Sequence, residues 1–96
     1  MLVFIKHSTG TEVYRTEDIC RVTDIVETVI QPELLTEKVK KGFTYTMEIY
    51  TGGRLITLTS PLYDNREKAE QSRQSMVIKL AKDTADENII STQIEL

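Results

Sequence analysis

The sequence has a single cysteine, Cys20, so no disulfide can form within the chain, and this suits a reducing compartment. It has a single histidine, His7, whereas a structural zinc centre usually draws four ligands from cysteine and histidine. No carboxylate spacing of the calcium-loop type occurs either, and neither a metal nor any other cofactor is expected. No apolar run is long enough to cross a bilayer, and Met1 to Ile5 is too short for a secretory signal. A cytoplasmic location is therefore the expectation, with no membrane as partner. Repeats and low-complexity segments are also missing. Ninety-six residues suffice for one modest core and are too few for two, so 1–96 reads as one small domain.

The residues that carry chemistry do not assemble into a motif. Cys20 and His7 supply a nucleophile and a base by type, but nothing in the sequence brings them within hydrogen-bond reach, and free cysteine is commonly a small core residue. Glu67 and Glu70 lie one turn apart, yet carboxylates in a first helical turn are already explained by the helix dipole. Gly52-Gly53 is followed by a strand pattern and lacks the further glycines and the Lys-Ser or Lys-Thr of a phosphate loop. An enzyme is not expected.

What is present is a legible hairpin and helix. A two-residue Gly52-Gly53 loop sets Thr51 opposite Arg54, Tyr50 opposite Leu55, Ile49 opposite Ile56 and Met47 opposite Leu58. Alternation then gives one apolar face, extended back through Tyr45 and Phe43, and one face rich in threonine. Slipping the register by one residue would put the apolar row in water. Ser60-Pro61 ends the second strand, because proline brings no N–H to the ladder. Asp64 or Asn65 then caps a helix, with Glu67 at capping-box spacing from Asp64. Its stripe of Ala69, Ser72, Met76, Val77 and Leu80 should cover the hairpin, and its end falls near Lys82 or Asp83.

The first third of the chain is read as a hairpin, Leu2 to His7 and Glu12 to Arg15 around a Ser8-Thr9-Gly10-Thr11 turn. From Ile19 to Ile30 the spacing of Ile19, Val22, Val26 and Val29 fits a helix, but the wealth of isoleucine, valine and threonine favours a bent or bulged strand. Gln31 to Gly42 has no sustained pattern and reads as a long loop or a frayed helical turn. At the far end Ile90, Thr92, Ile94 and Leu96 alternate with Ser91, Gln93 and Glu95, which is a strand in need of a partner. The fold class is therefore α+β: an antiparallel, hairpin-rich meander of about five or six strands with one main helix in the C-terminal half packed on one face.

Two features point to interaction with protein, by self-association into a homodimer or with a partner. Tyr50 and Leu55 form a large apolar couple on the threonine face, where no covering layer is identifiable. Ile90, Ile94 and Leu96 belong to a strand that either completes its own sheet or adds to the edge of another molecule. The expected role is thus a non-catalytic protein-interaction or regulatory module. A nucleic-acid-binding domain is the alternative, on Lys38, Lys40 and Lys41 with Tyr45, Tyr50 and Tyr63 as stacking platforms. The net charge of −3 weighs against it. Removing residues 88–96 is expected to disrupt self-association or binding more than helix content, followed by circular dichroism; outright unfolding would assign the last strand to the sheet of its own chain.

Overall fold

The computed structural model describes residues 1–30 and 40–96, which fold into eight strands and one long helix. In chain order these are β1 (Leu2–His7), β2 (Gly10–Arg15), β3 (Ile19–Val22), β4 (Val26–Ile30), β5 (Lys40–Thr44), β6 (Thr46–Thr51), β7 (Arg54–Thr59), α1 (Arg66–Ala85) and β8 (Ser91–Glu95), with a 3-10 turn at Thr16–Asp18. The α+β class holds, with mostly antiparallel pairing. The expected single sheet of five or six strands is corrected to three small ones, ordered β2-β1-β8, β3-β6-β7 and β4-β5.

Gly52 and Gly53 sit at φ 58° and 76°, the left-handed backbone that a type I′ turn needs at both central positions. The β6–β7 register runs from Thr51↔Arg54 to Thr46↔Thr59, as the turn dictates. Met47, Ile49 and Leu58 are buried by it. The first hairpin is tighter than expected, because β2 begins at Gly10 and only Ser8 and Thr9 form the loop. Between Ile19 and Ile30 the strand is broken: β3 pairs with β6 through a register shift around Cys20, and β4 leaves to pair with β5. Lys40 to Gly42 belong to β5; the remainder of the segment read as a loop lies outside the described residues, as does Lys38.

The sheets separate at a corner made by hydroxyl groups. At Tyr45 the ladder carbonyl of Ser60 is replaced by its side chain, so that Tyr45 N–H donates to Ser60 Oγ (3.0 Å) while Ser60 N–H donates to the Tyr45 carbonyl (2.8 Å). On the other side Thr46 N–H donates to Thr23 Oγ1 (2.9 Å), and Thr23 N–H returns to the Thr46 carbonyl (2.8 Å). The two side-chain acceptors keep the Tyr45 and Thr46 N–H groups paired while the chain bends. The continuous row from Phe43 to Met47 is thereby interrupted: Tyr45 is fully buried, whereas Phe43 bridges to Tyr63 and lies under the Arg66 guanidinium.

Asn65 is the residue that caps α1, its side chain accepting from Lys68 N–H at 3.1 Å, while Asp64 pairs with Lys68 Nζ instead. The helix continues to Ala85, slightly past the expected end. Ala69 and Met76 are buried, and Ser72, Val77 and Leu80 are partly so, which is the expected stripe. It packs where the inner faces of the two three-stranded sheets meet, over a core that includes Val3, Ile5, Met47, Ile49, Leu58 and Ile94.

The last strand belongs to its own chain. β8 lies parallel to β1, from Leu2↔Ser91 to Lys6↔Glu95, and turns Thr92, Ile94 and Leu96 inward. Thr92 Oγ1 donates to Asp83 of α1 at 2.5 Å, tying strand to helix. With Ile94 only 3% exposed, Ile94→Ala should lower the unfolding free energy by about 2–5 kcal/mol through lost burial and a residual cavity. Urea denaturation checks this; an unchanged midpoint would take Ile94 out of the core.

Candidate functional site

The structure divides the five expected interaction residues into two groups. Tyr50 and Leu55 face each other and are 55% and 56% exposed. Thr51 and Arg54 close the loop as a hydrogen-bonded pair, so Tyr50 and Leu55 form the next, non-bonded pair, at the closer cross-strand spacing of roughly 4.5 Å between Cα atoms. The neighbouring pair on that face is Glu48 and Thr57, and Glu48 accepts from Arg21 of β3 at 2.8 Å. The β3 strand lies beside this face and does not cover it. Ile90 is 84% exposed just ahead of β8. Ile94 and Leu96, at 3% and 9%, are in the core and present no side chain to a partner.

Sequence reasoning missed a second apolar surface. Leu2, Phe4 and Val13 are exposed on the outer face of β1 and β2, and Phe4 and Val13 are direct cross-strand partners. The signal was present in the alternation of β1, whose Val3 and Ile5 go inward. What hid it was that both phases of that strand are apolar.

Two polar clusters lie inside. On the β1–β2 hairpin the two-residue loop places His7, Glu12 and Tyr14 on the inward face. Glu12 accepts from Tyr14 OH at 2.8 Å and contacts His7 Nε2 at 2.5 Å. Thr9 lies on the other side of the ring, its N–H 3.4 Å and its Oγ1 3.1 Å from His7 Nδ1. The Tyr14 phenol is pushed up, first by burial and then by the hydrogen bond and charge of Glu12, with Arg54 at the tip of the other hairpin opposing. His7 is thus committed to Glu12. Cys20 is exposed and donates to the Asp18 carbonyl at 3.4 Å, so the two are not a nucleophile and its base.

The second cluster joins α1 to the corner. Ser72 Oγ accepts from Tyr63 OH at 2.8 Å and lies 3.2 Å from Tyr45 OH. The next residue, Arg73, donates from Nε to the Thr23 carbonyl (2.7 Å) and from a terminal nitrogen to that of Val22 (3.1 Å). Burial is the main cause that pushes the Tyr45 phenol up; Tyr63 adds to it, while Ser72 and Arg73 oppose. These groups satisfy one another, and no buried side-chain polar atom is left without a partner among the described residues. The cluster holds the helix to the corner.

Of the residues expected to serve a nucleic-acid site, Tyr45 is buried and Lys41 is paired with Glu27 at 3.1 Å. Among the described residues no group of three or more His, Cys, Asp or Glu converges on a metal position, and no helix is long and apolar enough to cross a membrane. A groove of about 480 Å³ separates α1 from β8, between Ser72, Ser75 and Lys79 on one side and Gln93 and Glu95 on the other. No family model matches the chain, no curated protein matches it, and no solved structure matches it. The surfaces must be interpreted from their own chemistry.

The raised phenols set a pH response. A folded state that holds the Tyr45 and Tyr14 protons more tightly than the unfolded chain is fully stabilised below the ordinary phenol value of 10.0 and loses that stabilisation as pH rises through the folded values. Urea midpoints between about pH 8 and about pH 11 should therefore fall at the alkaline end. Tyr45→Phe should flatten the fall and lower stability near neutrality by about 1 kcal/mol, for the lost hydroxyl bond. A profile that is flat in the wild type would contradict the assigned burial.

Proposed function

We propose that this domain is a non-catalytic protein-interaction or regulatory module of the cytoplasm, which self-associates or binds a protein through the outer face of β6 and β7. The observation that carries this reading is the Tyr50–Leu55 pair, more than half exposed on both residues at the end of a rigid hairpin. Tyrosine combines a large apolar body with a polar hydroxyl and is enriched at interfaces for that reason. A cross-strand pair of this kind also stabilises its own hairpin, by roughly 0.2–1 kcal/mol, so the pair alone explains only part of its presence. The exposed Leu2, Phe4 and Val13 on the other sheet add a second apolar surface, and the Arg21–Glu48 pair beside Tyr50 supplies a polar rim. A central apolar anchor inside a polar rim is the usual anatomy of a modest interface.

The reading is tested on the double variant Tyr50→Ser with Leu55→Thr. Its unfolding free energy should stay within about 1 kcal/mol of the parent, because both side chains are largely in water. Its association, followed by light scattering over a dilution series and by capture of protein partners, should weaken by about tenfold or more. An unchanged oligomeric state and partner set, together with a lower melting temperature, would show that this face serves only the fold.

A further inference from the structure

The edge of β8 that faces away from β1 is where this sheet is left open. In a parallel pair, alternate residues of a strand turn both backbone groups to the same neighbour. The Ile90 carbonyl accepts from Leu2 N–H at 3.4 Å, and Leu96 N–H donates to the Lys6 carbonyl at 2.9 Å, so the even-numbered residues face β1. Ser91, Gln93 and Glu95 therefore direct their N–H and C=O groups outward, and no strand takes them among the described residues. The Gln93 carbonyl is held instead by Lys79 Nζ, which reaches across from α1. The ammonium stands where the N–H of an added strand would lie.

Beside this edge runs the groove of about 480 Å³, a volume within the ordinary range of ligand clefts. Ser72 and Ser75 on α1 are short and leave it wide, while the buried Met76 and Ile94 make its floor apolar. An extended backbone beside β8 would alternate its side chains, one into the groove and the next away from it. A chain that takes over the Gln93 carbonyl also releases Lys79, which then offers a free cation on the groove wall.

We propose that the β8 edge and the adjoining groove receive an extended acidic segment of a partner protein as a fourth strand of the β2-β1-β8 sheet, with an apolar side chain on Met76 and Ile94 and a carboxylate on Lys79. This rests on the interaction reading above but uses a surface apart from Tyr50 and Leu55. A second copy of this chain fits the edge poorly. Antiparallel self-pairing in the register that uses the whole of residues 91–95 centres on Gln93, where Lys79 sits, and would bring two ammonium groups together at the twofold axis. Like charges so placed oppose pairing, and an edge lysine is a common guard against it. An acidic segment turns the same lysine from a barrier into a partner.

The probe is a short peptide, blocked at both ends, in which valine and glutamate take successive groove-facing positions with threonine at the intervening ones, titrated into the full chain while amide exchange is followed by NMR. The peptide should slow exchange at Ser91, Gln93 and Glu95. Methylating its alternate backbone nitrogens should remove binding. Lys79→Glu should weaken binding by about tenfold or more, and so should Gln93→Pro, which deletes an outward N–H without taking a bond from the β1 ladder. If Gln93→Pro does not fold, Lys79→Glu and the methylated peptide still decide. The proposal is overturned by lack of protection at the three amides, by binding that survives both methylation and Lys79→Glu, or by edge amides already protected in a peptide-free dimer. The Tyr50→Ser, Leu55→Thr variant is titrated alongside: it should bind the probe normally, so loss of association there and loss of probe binding here are separate results.

Discussion

The parallel pairing of β8 with β1 is the constraint on which the rest of the structure depends. It joins the two ends of the chain, Leu2 beside Ser91, and turns Ile94 and Leu96 into the core. Parallel neighbours cannot be linked by a hairpin and need a long crossover, which here is everything from β2 to α1. Contacts so distant in sequence carry a loop-closure cost that the burial of Ile94 and Leu96 offsets. The Thr92–Asp83 hydrogen bond and the reach of Lys79 to Gln93 fasten the strand to the helix that delivers it.

The helix in turn is fixed by the corner at Tyr45. Ser72 meets two phenol oxygens there, and Arg73 takes the carbonyls of Val22 and Thr23 at the break between β3 and β4. Because the backbone at this corner bonds to serine and threonine hydroxyls in place of ladder carbonyls, the sheets can diverge while the Tyr45 and Thr46 N–H groups stay paired. One consequence is the separation of the β4-β5 sheet from the β3-β6-β7 sheet. Among the described residues, no element covers the outer faces of two of the sheets, with Tyr50 and Leu55 on one and Leu2, Phe4 and Val13 on the other.

Local physics was legible in the sequence and remote partnership was not. The β6–β7 register follows from Gly52-Gly53 alone, since the turn fixes the pairing and the apolar alternation confirms the phase. The stripe on α1 was equally clear from its spacing. The bend between Ile19 and Ile30 could be anticipated only as a strand that does not run straight, because its cause is Thr46 and Arg73, far along the chain. For the last strand, alternation marked Ile94 and Leu96 as facing one way but was silent on which edge β8 would join, and these residues proved to be core. The expected four-residue loop would set His7 opposite Glu12; the two-residue loop sets Ile5 there and leaves His7 diagonal to Glu12 on the same face, so the inward cluster of His7, Glu12 and Tyr14 was open to sequence reasoning and was missed.

The proposed interaction role draws on the edge, the groove and the apolar pair alike. All of it presupposes that β8 is held by β1 in the free chain. Native-state hydrogen exchange, resolved amide by amide, tests that claim most directly. Thr92, Ile94 and Leu96, which turn toward β1, should exchange as slowly as the central amides of β6, while Ser91, Gln93 and Glu95 should exchange much faster. Uniformly rapid exchange from Ser91 to Leu96 would contradict the pairing and, with it, the account of the core.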